Sequence, residues 1–416
     1  MVEMDRGIIP NRQDYDAVIV GASLAGCAAA IQLGRSGARV ALIEQRPNPA
    51  AFKRTCSHYI QASGAPTLER LRLLEPILAA GGLRSRARVH TPWGWIAAPP
   101  ERGGAGVNLR REVLDPLVRE TAAETPGVDL TLGLTAQRLL REDGAWRGVV
   151  VRDHEGAEMT LRGKLIVGAD GRDSRVAGLA GLDGKTLPHG RFAYGAYFEG
   201  PQPNHFPDSM LWFLDPDIAA AFPTDGGLVF YVAMPTKRRL AEFKRDPEAS
   251  LVAHVAAVPD APPIREARRV SPLIGKLEMP SRVRGPVGPG LALIGDAALA
   301  ADPLFGVGCG WAFQSAEWLA DSVGPSLRGE ESLARGLRRY RRRHRRELRL
   351  HALQIQDYAS GRRFSPPERM LMSAAARDPE LAARFDAFAT RRIRPPRALL
   401  TILPRAILVN ARQALG

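Results

Sequence analysis

Short, nearly unbroken apolar runs alternate with helical spacing over the first part of the chain. Tyr15 to Val20 reads as a buried strand, Leu24 to Ser36 as an Ala-rich helix and Ala38 to Ile43 as a second buried strand, which predicts a βαβ unit. The mixed loop NPAAFKRTCSHYIQASGAPTLERL follows, then a short helix and RVHTPWGWIAA, whose alternating aromatics predict a sheet strand. RREVLDPLVRETAAET returns to helical spacing, with Val113, Leu117 and Ala122 expected on one face, and strands and turns lead on to KLIVGADG. Between Arg191 and Arg282 the texture changes. RFAYGAYFEG, SMLWFL and LVFYVAM are aromatic, β-prone runs separated by Pro, Gly and Asp turns, which predicts an antiparallel sheet inserted into an α/β frame. GLALIGDAA resumes a buried strand, and helices are expected over 308–321 and 333–357.

Composition narrows the class. At 416 residues the chain exceeds one ordinary core, so two domains, or one domain with an insertion, are expected. A hydrophobic share of 45% and a charged share of 25% exclude disordered and fibrous classes. The 58 Lys+Arg against 44 Asp+Glu give a net charge of +14, which favours anionic partners such as phosphorylated cofactors, acidic substrates, nucleic acid or a lipid surface. Arg outnumbers Lys and Ala is abundant, so genomic base composition accounts for part of that excess.

Cys27, Cys56 and Cys309 lack any C-x-x-C spacing, so neither a disulfide framework nor a metal site is indicated, and a reducing cytoplasm is expected. The opening MVEMDRGIIPNRQ has no basic segment followed by an apolar one, so export is not indicated. The run ALLTILPRAILV is broken by Pro404 and Arg405 and falls short of the roughly 20 residues that span a bilayer. From Leu333 through ARGLRRYRRRHRRELRL, the residues Leu333, Leu337, Tyr340, His344 and Leu348 share one helical stripe. This helix is therefore expected to pack by that stripe and to turn its arginines to solvent. No aromatic platforms interleave with the basic residues, so no nucleic-acid partner is expected. The tail RRIRPPRALLTILPRAILVNARQ reads as a closing helix over the substrate region, with peripheral membrane contact as its lesser reading.

Three segments carry the chemistry. After the first strand, GASLAG offers Gly21 for a tight turn, Ser23 at the position where backbone nears a pyrophosphate, and Gly26 for close helix–strand packing. The pyrophosphate would sit at the helix N-terminus, and Glu44, about 20 residues on, can accept hydrogen bonds from ribose hydroxyls. KLIVGADGRDSRVAGLAG places Gly168, Asp170 and Gly171 at a strand end, followed by Arg172, Ser174 and Arg175. LALIGDAALAADPLFGVGCGWAFQSAEWLAD places Gly295 and Asp296 at another, then Pro303, Gly306, Gly308 and Gly310 before a helix. Asp296 can hold a polyol chain, and the helix N-terminus can stabilise negative charge on a ring.

In this order the three motifs resemble the FAD-dependent monooxygenase family of the para-hydroxybenzoate hydroxylase type, with its geranylgeranyl reductase and flavin-dependent halogenase relatives, over roughly residues 14–345. The resemblance implies a Rossmann-like FAD-binding domain formed by residues 1–75, 101–188 and 283–345. It implies a mainly antiparallel β-sheet substrate domain from 76–100 and 189–282, and a C-terminal helical region over 346–416. Gly21, Ser23, Gly26 and Glu44 would hold the ADP half of FAD, Arg111 would reach its phosphates, and the strand near Ala136 would offer backbone to the adenine. Asp170 would hold a loop serving both FAD and a transient NADPH or NADH. Gly295 and Asp296 would bind the ribityl or pyrophosphate region, and Pro303, Gly306, Gly308, Cys309 and Gly310 would line the isoalloxazine.

The activity so implied is NAD(P)H- and O2-dependent hydroxylation or epoxidation of an aromatic or polyketide-like small molecule through a flavin C4a-hydroperoxide. A partner flavin reductase is the other source of reduced flavin. Arg54, His58 and Tyr59, from the segment that passes the ring in this family, are the candidate catalytic residues, against the blander reading of a loop histidine and a core tyrosine. Phe192, Tyr194, Tyr197, Trp212, Phe213 and Phe230 are the candidate aromatic pocket, although alternation along the strands must send some of them elsewhere. Leu299 stands where many hydroxylases have His, and Asp302-Pro303 is closer to the reductase branch, which makes reduction of isoprenoid double bonds one alternative, with flavin-dependent halogenation another and a basic flavin-bound nucleic-acid-binding protein the least favoured. Trp93 and Trp95 resemble the halogenase W-x-W run only in part and read as sheet packing; no lysine stands clearly in the halogenase catalytic position.

Overall fold

Strand Asp14–Val20 lies at the centre of a sheet whose parallel members stand in the order Val128–Leu132, Val40–Glu44, Asp14–Val20, Glu158–Gly168, Leu291–Leu293. This is the computed structural model of the chain, and it describes residues 14–415; the reading of MVEMDRGIIPNRQ lies outside the described residues. The registers set Val20 beside both Ile43 and Gly168, and Gly168 beside Leu293. The loops beginning at Gly21, Gln45, Ala169 and Ile294 therefore leave the same edge, and in an open parallel sheet the crevice outside the carboxyl ends is the ligand site. A ribbon of Thr135–Glu142 and Ala145–Arg152 joins by antiparallel pairing to the first half of Glu158–Gly168.

Both faces of this sheet are covered. Helices Leu24–Arg35, Arg111–Ala123 and Gly308–Leu327 close one face over Ala17, Ile19 and Leu42, while Val18, Ile43 and Leu293 pack under the ribbon on the other. Helix Arg111–Ala123 corrects the expected face. Leu114, Val118 and Ala122 are buried, Val113 and Leu117 only partly, and a second buried stripe at i, i+4, i+8 is charged: Arg111, Asp115 and Arg119. Apolar periodicity did not identify that stripe because its partners come from distant loops.

A second sheet of ten strands contains, in order, Arg268–Arg269, Ala193–Glu199, Leu228–Met234, Ile218–Pro223, Ser209–Phe213, Leu83–Thr91, Ala105–Asn108 and Tyr59–Ile60. It is mainly antiparallel, with Ser209–Phe213 parallel to Leu83–Thr91. Helices Leu240–Arg245 and Pro247–Ala256, which the texture of 191–282 did not announce, cover one face. The run KRRLAEFKRDPEASLVAHVA sends Phe243, Leu251 and Val255 against that sheet.

The helix expected over 308–321 runs on to Leu327, and the long basic helix spans Leu333–Ala359 with Leu337, Tyr340, His344 and Leu348 buried, as its stripe predicts. Helices Pro366–Ala375, Pro379–Ala389 and Pro395–Leu415 then pack together over Ile96. Among the described residues no helix is long and apolar enough to cross a membrane.

The basic helix is fastened to the first sheet by the Tyr340 hydroxyl, which donates to the Leu293 carbonyl at 2.8 Å in a fully buried setting. Removing that donor leaves a buried acceptor unsatisfied. Tyr340→Phe should therefore lower the unfolding free energy by about 1–3 kcal/mol. Arg341→Ala, on the exposed face, should stay within about 0.5 kcal/mol, as read from urea denaturation midpoints.

Candidate active site

Ser23 opens helix Leu24–Arg35 with extended backbone, and its hydroxyl does not cap the helix. It accepts a hydrogen bond from Arg111 Nη2 at 2.9 Å instead. The first helical turn therefore keeps unpaired N–H groups beside a guanidinium, an arrangement suited to an anion. Glycine is enforced on both sides. Gly21 has φ +106° and a Cβ there would lie 2.6 Å from the Ala169 carbonyl oxygen, while one on Gly26 would lie 1.8 Å from that of Gly21. Ser23 meets no such contact, which is why a side chain is tolerated there.

Arg111 is buried against Asp115, with Nε and Nη2 donating to Oδ1 at 2.9 and 2.6 Å, and its Nη1 lies 3.8 Å from Cys309 Sγ. Its own backbone N–H donates to His58 Nδ1 at 2.9 Å. Burial works against its charge, but Asp115 and the two neighbouring thiols hold the guanidinium firmly protonated. Two turns along, Arg119 donates to the carbonyls of Ala22 and Ala51 at 3.1 and 2.9 Å and fastens loop 45–58 to the glycine turn.

Glu44 accepts from the Ala22 N–H at 3.0 Å and from Arg46 Nε at 2.8 Å. Burial raises its pKa, yet these bonds outweigh it and keep the carboxyl below its ordinary range. Ala136 is buried in the ribbon at a β-bulge, in the same apolar cluster as Ile43.

Asp170 turns inward to its own loop, accepting from Ser174 Oγ at 2.5 Å and Val176 N–H at 3.0 Å. It thereby shapes the start of the short helix Arg175–Leu179. Arg172 reaches from that loop to the Ala301 carbonyl at 2.9 Å, joining the second motif to the third.

In the third motif, Gly295 N–H donates to Ser315 Oγ at 2.9 Å. Asp296 Oδ2 pairs with Lys53 Nζ at 2.8 Å. Burial pushes the Asp296 carboxyl up, but Lys53 pulls it down further, so it is held ionised. Past the turn Pro303–Phe305, Gly306 has φ +62° and a Cβ there would lie 3.1 Å from the Tyr59 ring. A Cβ on Gly308 or Gly310 would meet nothing within 4 Å. Open space therefore borders the first turn of helix Gly308–Leu327. A flat ring at that helix start, a diphosphate beside Arg111 and Ser23, and hydroxyls at Glu44 and Asp296 fit the donors and acceptors present, so the residues fit FAD.

The candidate substrate side draws on both sheets. Alternation divides the candidate aromatics. Phe213 and Phe230, with Tyr197 partly buried, lie on the face with Tyr59, Phe305 and Tyr358, whereas Phe192 and Trp212, with Tyr194 partly buried, pack on the opposite face under Phe243. Trp95 packs edge-on to Trp212 at 5.6 Å, and Trp93 is exposed.

His58 is buried with both ring nitrogens engaged, Nδ1 by the Arg111 amide and Nε2 by the Tyr197 hydroxyl. Burial and the adjacent Arg111 and Arg110 hold it neutral. Tyr59 is buried with a hydroxyl that has no partner among the described residues, and burial raises its pKa. Arg54 is exposed on the loop.

Several site residues were not legible in advance: Lys53, Asp115, Arg119, and the meeting of Cys56 with Cys309. The i, i+4 spacing of Arg111 and Asp115 was the one available signal. The thiols, distant in sequence, stand with Sγ atoms 3.5 Å apart. The hydrogen bond with Cys309 draws the Cys56 thiol down to about 5 against burial, helped by Arg111 and Lys53, while the same bond and burial push Cys309 well up. Of the two thiols, Cys56 is therefore the one that ionises first. Its alkylation by iodoacetamide should run at nearly the same rate at pH 6.5 and 8.5, where an ordinary thiol of pKa about 8.5 slows by well over tenfold. Peptide mapping that finds the ordinary slope at Cys56 would contradict the assignment.

A family model for an FAD binding domain matches residues 14–352. Digeranylgeranylglycerophospholipid reductase from Methanocella arvoryzae is 26% identical over 349 residues, 79% of this chain and 82% of its own. Kynurenine 3-monooxygenase from Salinispora arenicola is 34% identical over 176 residues, 40% of this chain and 38% of its own. The structure of Pseudomonas aeruginosa PqsL in complex with 2-aminobenzoylacetate is similar with a TM-score of 0.64 at 20% identity, covering 89% of this chain and 98% of that one. With the cradle of GASLAG, Arg111 and Asp296, the match across residues 14–352 establishes that the chain belongs to the FAD-binding-domain family of flavin-dependent oxidoreductases.

Proposed function

We propose that this chain is a monooxygenase that uses FAD, NAD(P)H and O2 to hydroxylate or epoxidise an aromatic or polyketide-like small molecule. Bound FAD supplies the redox chemistry, accepting reducing equivalents and passing them to O2. The chain's own residues orient the substrate and exclude water.

The observation that carries the reading is the aromatic wall facing the third motif. Phe305, in the turn before the glycines, lies 5.8 Å from Phe213 and 6.3 Å from Tyr358, and Tyr358 stacks on Phe364 at 5.2 Å. Apolar walls with few polar groups are the usual build of a small-molecule pocket, and the scarcity of water there protects a reactive oxygen species from side reactions. His58, neutral and held by the Arg111 amide, presents a fixed Nε2–H to the Tyr197 oxygen and so positions that phenol on the substrate side of the sheet.

One polar group on this wall stands out. Arg391 lies with its guanidinium 5.0 Å over the Phe305 ring; its Nη1 donates to the Ala389 carbonyl, its Nε has no hydrogen-bond partner among the described residues, and burial lowers its pKa to about 9. A buried charge ordinarily has an opposite charge beside it. The missing partner is supplied in this reading by an acidic group on the substrate, and PqsL, of the same fold, is seen in complex with 2-aminobenzoylacetate.

A second reading, reduction of isoprenoid double bonds, is favoured by Asp302-Pro303 and by the coverage of the Methanocella reductase. O2 separates the two. Purified holoenzyme should oxidise NADPH or NADH with O2 uptake when given aromatic acids, or do so once a flavin reductase supplies electrons. Turnover of an isoprenoid without O2, and none of the aromatics with it, would replace the first reading by the second. With an acidic aromatic substrate, Arg391→Gln should raise KM at least about tenfold, the loss of one charge-assisted hydrogen bond of about 1.5–3 kcal/mol, and leave kcat within about threefold.

A further inference from the structure

We infer that helix Pro395–Leu415 is a docking surface for an anionic lipid bilayer. Large apolar side chains that remain exposed are concentrated on it: Leu399 at 57%, Leu400 at 78%, Leu403 at 36%, Ile407 at 51% and Leu408 at 58%. At 3.6 residues per turn, Ala398, Ile402 and Ala406 form the buried face against helices Pro366–Ala375 and Pro379–Ala389. Leu399, Leu403 and Ile407 form the adjoining sector, Leu400 and Leu408 extend it, and Arg397, Arg405 and Arg412 follow on the flank. The helix thus carries two apolar faces, and only one is covered. Scattered exposed leucines need no explanation, but a contiguous stripe rimmed by charge marks an interaction site.

The surrounding charge selects the occupant. From Arg391 to the last residue there are six arginines and no Asp or Glu. Arg394 is committed to Glu347 and Arg405 to Asp378, whereas Arg397 and Arg412 have no carboxylate partner among the described residues. The Arg394–Glu347 pair ties this helix to the long basic helix, where Arg341, Arg342, Arg345 and Arg349 are exposed, as are Leu350 and Leu353 beyond Glu347.

A second copy of this chain would set like charges against each other. A layer of lipid phosphates meets both the arginines and the leucines. A helix with an apolar sector beside a basic flank, too polar overall to span, lies in the interface with its apolar side in the acyl boundary. The surface would bring the substrate pocket to molecules dissolved in a membrane. The inference does not depend on which flavin reaction the protein performs.

The test is co-sedimentation of holoenzyme with vesicles of phosphatidylcholine alone and of phosphatidylcholine with phosphatidylglycerol, at low and high salt. The wild type should pellet with the anionic vesicles and be partly released by salt, since exposed charges are screened. The double variant Leu400→Glu/Ile407→Glu should partition at least about tenfold less, with bound-FAD absorbance and Tm unchanged. Arg397→Glu/Arg412→Glu should lose the preference for anionic over neutral vesicles. Wild type that stays in the supernatant with both vesicle types, or a leucine variant that pellets like wild type, overturns the inference. So does a dimer without vesicle binding that Leu400→Glu/Ile407→Glu dissociates, because the stripe then serves a second copy. FAD content and NAD(P)H oxidation are measured separately, so a failed flavin reaction is not confused with failed docking.

Discussion

The buried guanidinium of Arg111 is the contact through which the parts of the site are held in one geometry. It binds Asp115 on its own helix, Ser23 on the glycine turn and Cys309 at the start of helix Gly308–Leu327, while its backbone N–H holds His58. A guanidinium in that setting is tolerated because Asp115 is buried with it, and removing either charge would leave the other uncompensated at a cost of several kcal/mol. The geometry leaves the cation directed at the uncapped helix, where the phosphates of FAD would add the remaining negative charge. Arg119, two helical turns further on, holds loop 45–58 against the same turn.

This works only because a parallel sheet delivers its loops to one edge. Val20, Ile43, Gly168 and Leu293 are in register, so three sequence motifs and one carboxylate, spread over nearly three hundred residues, converge at one edge although long insertions separate them. The second sheet works differently. Alternation puts Phe213 and Phe230 on the face with Tyr59 and Phe305, while Phe192 and Trp212 pack under the helices on the other face. The C-terminal region is tied to the third motif, because Gln61 donates to both the Phe305 and Ala389 carbonyls and binds the turn Pro303–Phe305 to the segment that carries Arg391.

Much of the first sheet was legible because local signals suffice there: a continuous apolar strand, a glycine turn and an Ala-rich helix are each set by neighbours in sequence. The basic helix was legible for the same reason, its stripe from Leu337 to Leu348 being a matter of period. What escaped were features fixed by contacts between distant segments. The charged stripe of Arg111, Asp115 and Arg119 breaks the apolar rule because its partners lie in other loops, and no spacing announces that Cys56 and Cys309 meet. Helices Leu240–Arg245 and Pro247–Ala256 were missed because the aromatic strand texture on either side dominates two short helical segments. Arg391 could not be singled out from its sequence, since one arginine in RRIRPPR differs from its neighbours only by what it is buried against.

The central claim is that FAD sits where Arg111 and Ser23 face the first helical turn, and titration of FAD into flavin-free protein tests it most directly. The wild type should take up one FAD per chain with the absorbance of a bound flavin. Arg111→Met, folded by circular dichroism, should bind at least about tenfold more weakly, the loss of charge-assisted contacts to phosphate. A wild type that takes up no FAD, or an Arg111→Met variant that binds it as tightly, would contradict the account.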